Sequence, residues 1–373
     1  MKKGARGKKS ILVLAGPTGG HLFPAWAFAE QLKARQPSWN ITLLTGQRAS
    51  RLGPVFETSP FDHVLYVRDF HSPFRSLSRL FSALGNAAGA FFQVLGWVLR
   101  EKPDLAVGFG SYVSVPGCVV CFGRKIPVLL HEQNQVAGKA TQFLMRFTPY
   151  LASSFDSTLP VPLNGNSWSV TGLPIRQKLL AEARKLKRHF QKPRLTWLVV
   201  GGSQGARRIN DTVVKTLKLL SPEEIEKIAV IHITGHDDFE RIKKDYEALK
   251  FPTQVYPFFD KMHELYPQID FALTRAGANT LFELALFGVP AAVVPYPHAG
   301  AHQLGNARAF EQAGAVALQK ESALSSDLLL RMVKIFLTDE DLRERLSKNI
   351  SALARPEAGS FLAEKACALL EAL

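Results

Sequence analysis

The fold is decided by residues 270–298, which read DFALTRAGANTLFELALFGVPAAVVPYPH. This pattern predicts four elements in order: a strand over Phe271–Leu273, a small-residue turn over Arg275–Ala278, a helix over Thr280–Phe287 that stops at Gly288, and a strand over Ala291–Val294. A strand, helix and strand in this order imply a parallel sheet with a right-handed crossover. Ligands of such sheets bind beyond the carboxyl ends of the strands, where the turn offers N–H groups and a positive helix end to an anion.

Glu283 lies near the start of this predicted helix. A carboxylate there is within reach of a nucleotide ribose and accepts hydrogen bonds from hydroxyl groups. An ordinary solvated helix residue is the alternative interpretation, and the pattern alone leaves both open.

The same order of strand, glycine turn and helix recurs elsewhere in the chain. It is found at Ser10–Ala15 with Gly16–His21 and at Leu195–Val200 with Gly201–Ala206. The spacing is not GxGxxG, so a dinucleotide fingerprint is not supported. We therefore predict an α/β protein of two Rossmann-like, doubly wound parallel-sheet domains that face each other across a cleft. The boundaries are residues 1–174 for the first domain and 175–355 for the second, and such a cleft suits an enzyme that holds a nucleotide on one side and an acceptor on the other. The last helix, about 356–373, is expected to pack back on the first domain.

Composition and charge indicate which ligands suit this chain and which classes of site they disfavour. The chain has 373 residues and a formal net charge of +14, most of it in residues 1–175. Basic surfaces suit phosphorylated substrates or anionic lipid, and no aromatic-interleaved basic stripe favours nucleic acid. Cys118 and Cys121 form a lone CxxC, for which we favour buried structural thiols over a zinc or redox site. No apolar run reaches the roughly 20 residues that span a bilayer.

Three loops of the first half carry polar groups at predicted strand ends. They surround His21, Tyr112 and the run from His131 to Asn134. His21 falls in the first turn of a helix, where the dipole disfavours imidazolium and suits a neutral general base. A capping or packing histidine is the equal alternative. Polar side chains after a buried strand are costly unless bonded or functional, so we expect the loops to converge on one site.

Residues 70–100 mix aromatic and basic side chains at helical spacing. The second part of this stretch is predicted to be a core helix. The first part is either core or a patch that docks on anionic membrane. The members of the predicted patch are Phe70, Phe74, Arg75, Leu77, Arg79, Leu80 and Phe81.

The second half holds the better nucleotide site. N–H groups of Gly202–Gly205 and the cation of Arg176 suit a diphosphate, and Phe258 and Phe259 suit a base. The chain has no DxD in a suitable loop. A helix terminus with an arginine stabilises a departing diphosphate, so we expect no metal and no cofactor.

These motifs together resemble the MurG family, the bacterial UDP-N-acetylglucosamine transferases that convert lipid I to lipid II. The resemblance rests on seven stretches in order: Gly16–His21, Gly108–Pro116, His131–Asn134, Gly201–Ala206, Phe258–Met262, Arg275–Glu283 and His302–Asn306. It implies the GT-B fold and an inverting transfer of N-acetylglucosamine to the muramyl 4-hydroxyl of lipid I. It also implies that the enzyme is peripheral on the cytoplasmic face of the inner membrane and takes part in peptidoglycan synthesis.

Site residues follow from the resemblance by position. His21 becomes the expected catalytic base, with Glu132 and Asn134 as alternative activators. The implied donor-binding residues are Arg176, Gly202, Ser203, Gln204, Gly205, Phe259, Ala278, Thr280, Glu283, His302 and Gln303. The implied acceptor-binding residues are Thr18, Gly19, Gly20, His21, Tyr112, His131, Glu132 and Asn134. The implied partners are UDP-N-acetylglucosamine, lipid I, anionic membrane lipids and other cell-wall assembly proteins.

The chain departs from the family pattern at four positions, which bear on acceptor and sugar contacts. Pro17 and Ser111 stand where glycine is usual, Leu173 replaces an asparagine, and His302 replaces a glutamine of some members. Three other functions remain alternatives: a diacylglycerol glycosyltransferase, a UDP-N-acetylglucosamine 2-epimerase and a nucleotide-sugar sensor without turnover. The run from His131 to Asn134 argues against the first, and the basic apolar patch against the second.

Overall fold

The computed structural model describes residues 8–50, 59–68, 77–158, 160, 167–189, 191–202, 205–249, 251–297 and 302–372. For residues 77–84 and 167 the description covers the backbone. The chain forms two compact units. Unit 1 comprises residues 1–177 with 356–373, and unit 2 comprises residues 178–355.

Unit 1 is built on a seven-stranded sheet in the order β3-β2-β1-β4-β5-β6-β7, with every pair parallel. The strands are β1 (Ser10–Leu14), β2 (Asn40–Gly46), β3 (His63–Val67), β4 (Leu105–Gly108), β5 (Val128–Glu132), β6 (Tyr150–Ser153) and β7 (Ser167–Val170). The helices are α1 (Gly19–Arg35), α2 (Leu77–Glu101), α3 (Ser114–Gly123) and α4 (Lys139–Leu144), with α14 (Ala358–Ala372) from the end of the chain.

Alternation along β1 gives this sheet a buried core on each face. Ile11 and Val13 pack on one face with residues of α1 and α14, while Leu12 and Leu14 pack on the other with α2 and α3. A strand buried on both faces reads as a continuous apolar run, which is why the sequence shows no alternation there. Helix α14 packs directly on α1.

Unit 2 repeats the plan with a six-stranded parallel sheet in the order β10-β9-β8-β11-β12-β13. The strands are β8 (Leu195–Val200), β9 (Ile228–Ile233), β10 (Thr253–Tyr256), β11 (Phe271–Thr274), β12 (Ala291–Val293) and β13 (Val316–Leu318). The helices are α5 (Gln177–Lys185), α6 (Arg207–Leu217), α7 (Pro222–Glu226), α8 (Phe239–Leu249), α9 (Met262–Leu265), α10 (Ala278–Phe287), α11 (His302–Gln312), α12 (Ser326–Thr338) and α13 (Glu340–Ser351). The predicted α/β class with two doubly wound parallel sheets is confirmed.

The strand order changes direction between β1 and β4 in unit 1 and between β8 and β11 in unit 2. At such a switch point the connections leave on opposite faces and open a crevice at the carboxyl ends of the strands. The glycine turns after β1, β4, β8 and β11 all lie at these two places. The fold therefore puts the predicted ligand loops where ligands bind in sheets of this kind.

Two differences from the sequence prediction matter for the site. Strand β5 continues to Glu132, so His131 and Glu132 belong to the strand and not to the loop in which the sequence analysis placed them. Polar residues at a strand end give no apolar signal, which is why the sequence prediction stopped early. Helix α10 begins at Ala278 rather than Thr280, which brings its first turn closer to β11. Strands β6, β7 and β13 and helix α4 are short and were not predicted.

Candidate active site

In unit 1 the site forms around His21, the third residue of α1. Its Nδ1 lies 2.7 Å from the carbonyl oxygen of Phe109, just after β4, and 3.2 Å from Oε1 of Gln133, just after β5. His21 is half-buried. The loops after β1, β4 and β5 therefore meet at one imidazole ring, as the sequence analysis expected of polar groups at parallel strand ends.

The approach of the first two loops depends on Gly16. A Cβ atom at Gly16 would lie 2.5 Å from Cβ of Ser111 and 2.9 Å from Cδ2 of His21. Ser111 itself has φ of +71°, in the left-handed region that favours glycine. The departure from the family pattern at Ser111 thus falls on a backbone position that strains any residue with a side chain.

His131 lies beneath this site rather than in it. Alternation along β5 carries His131 to the face of Leu129, where the ring is fully buried and 5.3 Å from the ring of Phe109. Its Nε2 is 3.1 Å from the carbonyl oxygen of Gly172 and its Nδ1 is 3.2 Å from Nε2 of Gln133. Burial lowers the pKa of His131 to about 4. Both ring nitrogens therefore bond inside the protein, and the role of His131 as an acceptor ligand stays a prediction.

Glu132 organises the loop that follows it. Its Oε1 accepts hydrogen bonds of 3.0 Å from the backbone N–H and from Nδ2 of Asn134, and its Oε2 accepts one of 3.1 Å from the N–H of Gly138. The carboxylate is 2% exposed. Three internal donors therefore hold this carboxylate in one orientation. Asn134 is half-buried and its amide is oriented by Glu132.

The remaining predicted acceptor residues lie in the turns after β1 and β4. Thr18 is the N-cap of α1, where its side chain makes no capping bond, and Gly19 and Gly20 form the first turn. A Cβ at Gly19 would lie 2.9 Å from the Phe23 ring, whereas at Gly20 the nearest atom is 3.9 Å away. Tyr112 follows Ser111 in the β4 turn and is half-buried. The sequence analysis assigned no role to Gln133, although this residue lies in the run from His131 to Asn134. The direction in which its side chain leaves the end of β5 cannot be read from the sequence.

In unit 2 the turn after β8 carries two glycines with positive φ, Gly202 at +86° and Gly205 at +76°. A Cβ at Gly205 would lie 2.3 Å from the carbonyl oxygen of Thr234, and one at Gly201 would lie 2.5 Å from the N–H nitrogen of Ala206. The turn then enters α6 at Arg207. Backbone this close to a helix N-terminus suits an anionic ligand. Ser203 and Gln204, also predicted to bind the donor, lie outside the described residues.

The turn after β11 brings Glu283 and Tyr266 together. Glu283 is 8% exposed and its Oε2 accepts a 2.8 Å hydrogen bond from the Tyr266 hydroxyl. Tyr266 is 1% exposed and packs on Phe287. Ala278 and Thr280 lie in the first turn of the helix that carries Glu283. The interpretation of Glu283 as a solvated helix residue is therefore excluded.

Three polar side chains bond to the backbone near the turn after β11 and the segment after β12. Arg275, buried, pairs with Glu321 and donates to the carbonyl oxygen of Val294 at 3.2 Å. Asn306, fully buried, donates to the carbonyl oxygen of Ala276 at 3.1 Å. Oε1 of Gln303 accepts a 2.8 Å hydrogen bond from the N–H of Tyr296. The turn between Arg275 and Ala278 is thus held by Arg275 and Asn306, to which the sequence analysis assigned no role.

The other predicted donor residues have varied surroundings. Phe259 follows β10, is half-buried and packs against Tyr256 with ring centroids 4.8 Å apart. His302 is the first residue of α11 and is half-buried. Arg176 belongs to unit 1, where its guanidinium lies 4.3 Å from the centre of the Phe23 ring. Among the described residues, no group of three or more His, Cys, Asp or Glu side chains is arranged to hold a metal ion.

The structure describes no side chain of the predicted membrane patch. Phe70, Phe74 and Arg75 lie outside the described residues, and Leu77, Arg79, Leu80 and Phe81 lie in the first turns of α2. The described part of unit 1 exposes other aromatic rings: Phe92 on α2 is 68% exposed, and Phe122 on α3 is 47% exposed. No helix in the described ranges is long and apolar enough to cross a membrane.

Comparison with known proteins gives one consistent result. The Glycosyltransferase family 28 N-terminal domain matches residues 11–151, and the Glycosyltransferase family 28 C-terminal domain matches residues 196–359. A UDP-N-acetylglucosamine--N-acetylmuramyl-(pentapeptide) pyrophosphoryl-undecaprenol N-acetylglucosamine transferase of Coxiella burnetii is 35% identical over 350 residues, which are 93% of this chain and 95% of that protein.

Solved structures agree with this match. The crystal structure of Acinetobacter baumannii MurG is similar with a TM-score of 0.72 and 26% identity, covering 96% of this chain and 99% of that one. A UDP-N-acetylglucosamine 2-epimerase is similar with a TM-score of 0.64 but only 14% identity, covering 96% of this chain and 95% of that one. The second likeness shows a shared fold alone.

Proposed function

This chain belongs to glycosyltransferase family 28, within the MurG family of UDP-N-acetylglucosamine–N-acetylmuramyl-(pentapeptide) pyrophosphoryl-undecaprenol N-acetylglucosamine transferases, and we propose how its residues carry out that reaction. The enzyme moves N-acetylglucosamine from UDP-N-acetylglucosamine to lipid I and forms lipid II in peptidoglycan synthesis. Its two doubly wound units are the halves of the GT-B fold that the sequence predicted. The epimerase, diacylglycerol transferase and sensor alternatives are not favoured by these relatives.

We propose that unit 2 binds the UDP-sugar at its switch point. The positive φ of Gly202 and Gly205 and the start of α6 support diphosphate binding there, since they bring backbone N–H groups to a positive helix end. The buried carboxylate of Glu283 supports a ribose contact, because it is held in one orientation by Tyr266. Phe259 is the proposed base contact, and Ala278, Thr280, His302 and Gln303 are the proposed sugar contacts. Arg176 stays a predicted diphosphate contact.

We propose that His21 is the catalytic base. The single observation that carries this is that Nδ1 of His21 faces two acceptor oxygens, at 2.7 and 3.2 Å, so the other ring nitrogen is the one left to take a proton. In the proposed step the muramyl 4-hydroxyl gives its proton to Nε2 of His21 as its oxygen bonds to the anomeric carbon. The anomeric bond to the diphosphate breaks, UDP leaves with the electron pair, and the anomeric centre inverts. Thr18, Gly19, Gly20, Tyr112 and Asn134 are the proposed acceptor contacts.

A resident metal is not part of this proposal. The developing charge on the diphosphate would be met by the α6 N-terminus, in the way that helix ends stabilise anions. The test is a transfer assay with UDP-N-acetylglucosamine and a short-chain lipid I analogue, with and without chelator. Disaccharide product at an unchanged rate in chelator supports metal-independent transfer. A chelator-sensitive rate that Mg²⁺ or Mn²⁺ restores would overturn it.

The base assignment needs its own variant. We expect His21→Ala to lower kcat by about 10²–10⁴-fold, the usual contribution of a general base, with the Kd for UDP nearly unchanged. His63→Ala is the matched control, since His63 is an exposed histidine of β3 in the same unit. Full activity of His21→Ala would remove His21 from the base role and return Asn134 to consideration.

We propose that unit 1 docks on anionic lipid on the cytoplasmic face of the inner membrane. An exposed aromatic cluster supports this: Phe122 and Phe143 are 47% and 41% exposed, and each packs on Phe147 with ring centroids 5.4 and 5.1 Å apart. Exposed Arg124, Lys125 and Arg146 flank the cluster in sequence. Aromatic rings with neighbouring cations suit an interfacial position on acidic lipid. Contacts with other cell-wall assembly proteins would use surfaces beyond this cluster.

Vesicle binding tests the docking proposal. We expect Phe122→Ser with Phe143→Ser to weaken co-sedimentation with vesicles that contain phosphatidylglycerol, and added salt to weaken the wild type. Phe361→Ser is the control, because Phe361 is 55% exposed on α14 of the same unit but lies outside the cluster. Equal loss in the control and the double variant would show that general surface hydrophobicity is responsible.

A further inference from the structure

We propose that Gln133 is a positioning residue, which together with His131 orients the ring of His21 and keeps its proton on Nδ1. The four groups form one chain from the carbonyl oxygen of Gly172 through His131 and Gln133 to His21. This inference rests on the proposed role of His21 as base. It assigns a function to a glutamine, a histidine and a backbone carbonyl that do not touch the reacting atoms.

The contact between Gly172 and His131, at the buried end of this hydrogen-bonded series, fixes which group donates in each bond. A carbonyl oxygen only accepts hydrogen bonds, so the contact of 3.1 Å between Gly172 and Nε2 of His131 places a proton on that nitrogen. Burial lowers the pKa of His131 to about 4, and the ring is neutral at pH 7. A neutral ring with a proton on Nε2 has only a lone pair at Nδ1. His131 therefore accepts from Gln133.

The amide of Gln133 then has one possible orientation. Its nitrogen lies 3.2 Å from Nδ1 of His131 and 3.0 Å from the carbonyl oxygen of the same residue, and both of these are acceptors. An amide oxygen at that position would face two lone pairs. With the nitrogen held there, the oxygen Oε1 faces His21 at 3.2 Å. Gln133 is 2% exposed, so water does not compete for these bonds.

The proton of His21 follows from the same reasoning. Nδ1 lies between Oε1 of Gln133 and the carbonyl oxygen of Phe109, at 3.2 and 2.7 Å. With a lone pair on Nδ1 the ring would face two oxygen acceptors without a proton. The Phe109 carbonyl alone favours the proton on Nδ1, while the second acceptor also fixes the rotation of the ring. When Nε2 takes a proton, both acceptors stabilise the resulting imidazolium.

Two substitutions of Gln133 separate this role from a packing role. Gln133→Leu keeps the volume and removes the acceptor, and we expect kcat to fall by about 10- to 100-fold with the Kd for UDP unchanged. Gln133→Glu keeps an oxygen toward His21 but replaces the donor to His131 with an oxygen that faces two acceptors, so we expect kcat to fall there as well. A pure packing role would instead leave both of these variants, which are close to glutamine in size, fully active. Gln135→Leu is the matched control. Gln135 lies in the same loop as Gln133, but its side chain donates to the carbonyl oxygen of Ser157.

A spectroscopic readout is independent of turnover. Nitrogen NMR of the protein labelled at histidine distinguishes the two tautomers, and the difference from His21→Ala identifies the His21 signals among the ten histidines. We expect wild type to show the proton on Nδ1 of His21, and Gln133→Leu to broaden or shift that signal. A proton on Nε2 in the wild type would overturn the proposal, and so would a full rate in Gln133→Leu or in Gln133→Glu. Full activity of His21→Ala with the Nδ1 tautomer present would instead overturn the base role and leave the positioning chain standing.

Discussion

The hydroxyl of Tyr266 donates a 2.8 Å hydrogen bond to Oε2 of Glu283, and both side chains are buried. Tyr266 follows α9, while Glu283 lies in the second turn of α10. A buried carboxylate is stable only when its charge is met by donors. The bond thus holds one oxygen of Glu283 in place before any ribose arrives, so the orientation of the proposed ribose contact is already fixed.

We expect Tyr266→Phe to weaken UDP binding. Hydrogen bonds to charged groups contribute about 1.5–3 kcal/mol, and removing this one leaves a buried carboxylate short of a donor. The free energy of unfolding should fall by about 1–3 kcal/mol and the Kd for UDP should rise by about 3- to 10-fold. Calorimetric titration with UDP measures the second effect. Tyr256→Phe is the control, because its hydroxyl donates to Gln254 at the surface, and it should bind UDP normally.

Two glycines of the same turn should respond differently to alanine. Gly202→Ala meets no atom within 4 Å and carries only the penalty of a positive φ, about 1–2 kcal/mol. Gly205→Ala has that penalty and also places Cβ 2.3 Å from the carbonyl oxygen of Thr234. We expect Gly205→Ala to lose more than about 2 kcal/mol of unfolding free energy and most UDP affinity. Equal urea midpoints for the two variants would contradict this packing argument.

Ser111→Gly should make the enzyme more stable. A residue with a side chain at φ of +71° is strained, and glycine relieves the strain at the expense of a more flexible unfolded chain. The expected net gain is about 1 kcal/mol in unfolding free energy, seen as a higher urea midpoint. Ser111→Ala removes the same hydroxyl but keeps Cβ and should show no gain. A gain in both variants would point to the hydroxyl instead of the backbone.

Acid should destabilise each unit through one buried histidine. Burial lowers the pKa of His131 to about 4 and that of His232 to about 3, whereas an unfolded histidine has its ordinary value of about 6.5. Between these values the unfolded chain binds a proton that the folded chain does not, so stability falls as the pH falls from about 6.5 toward 4. The slope should approach about 1.4 kcal/mol per pH unit for each histidine.

Unfolding free energies measured from pH 7 to pH 4 test this expectation. His232 bonds to Tyr246 at 2.8 Å and to Asn210 at 3.0 Å, so His232→Gln should lower stability at pH 7 but flatten the acid slope. The exposed His63 is the control, and His63→Gln should keep the wild-type slope. An unchanged slope in His232→Gln would show that other groups cause the acid sensitivity.

Local patterns were enough to predict the class of fold. Continuous apolar runs such as those of β1 and β8 predict strands buried on both faces, and glycine turns followed by helices predict crossovers. Short elements such as β13 escaped prediction because three residues carry too little periodicity. The end of β5 escaped because its last residues, His131 and Glu132, are polar.

The sequence by itself determined the reaction family, the two parallel sheets and the position of His21 and Glu283 at glycine turns, because these depend on the order of residues along the chain. Tertiary structure alone decided which polar groups meet. Gln133 bonds His21 across 112 residues, and Tyr266 bonds Glu283 across 17. It also placed the ring of His131 in the interior, since the face that a strand residue takes depends on how far the strand extends. Contacts between distant residues exist only once the sheet has aligned its strands, so no local pattern records them.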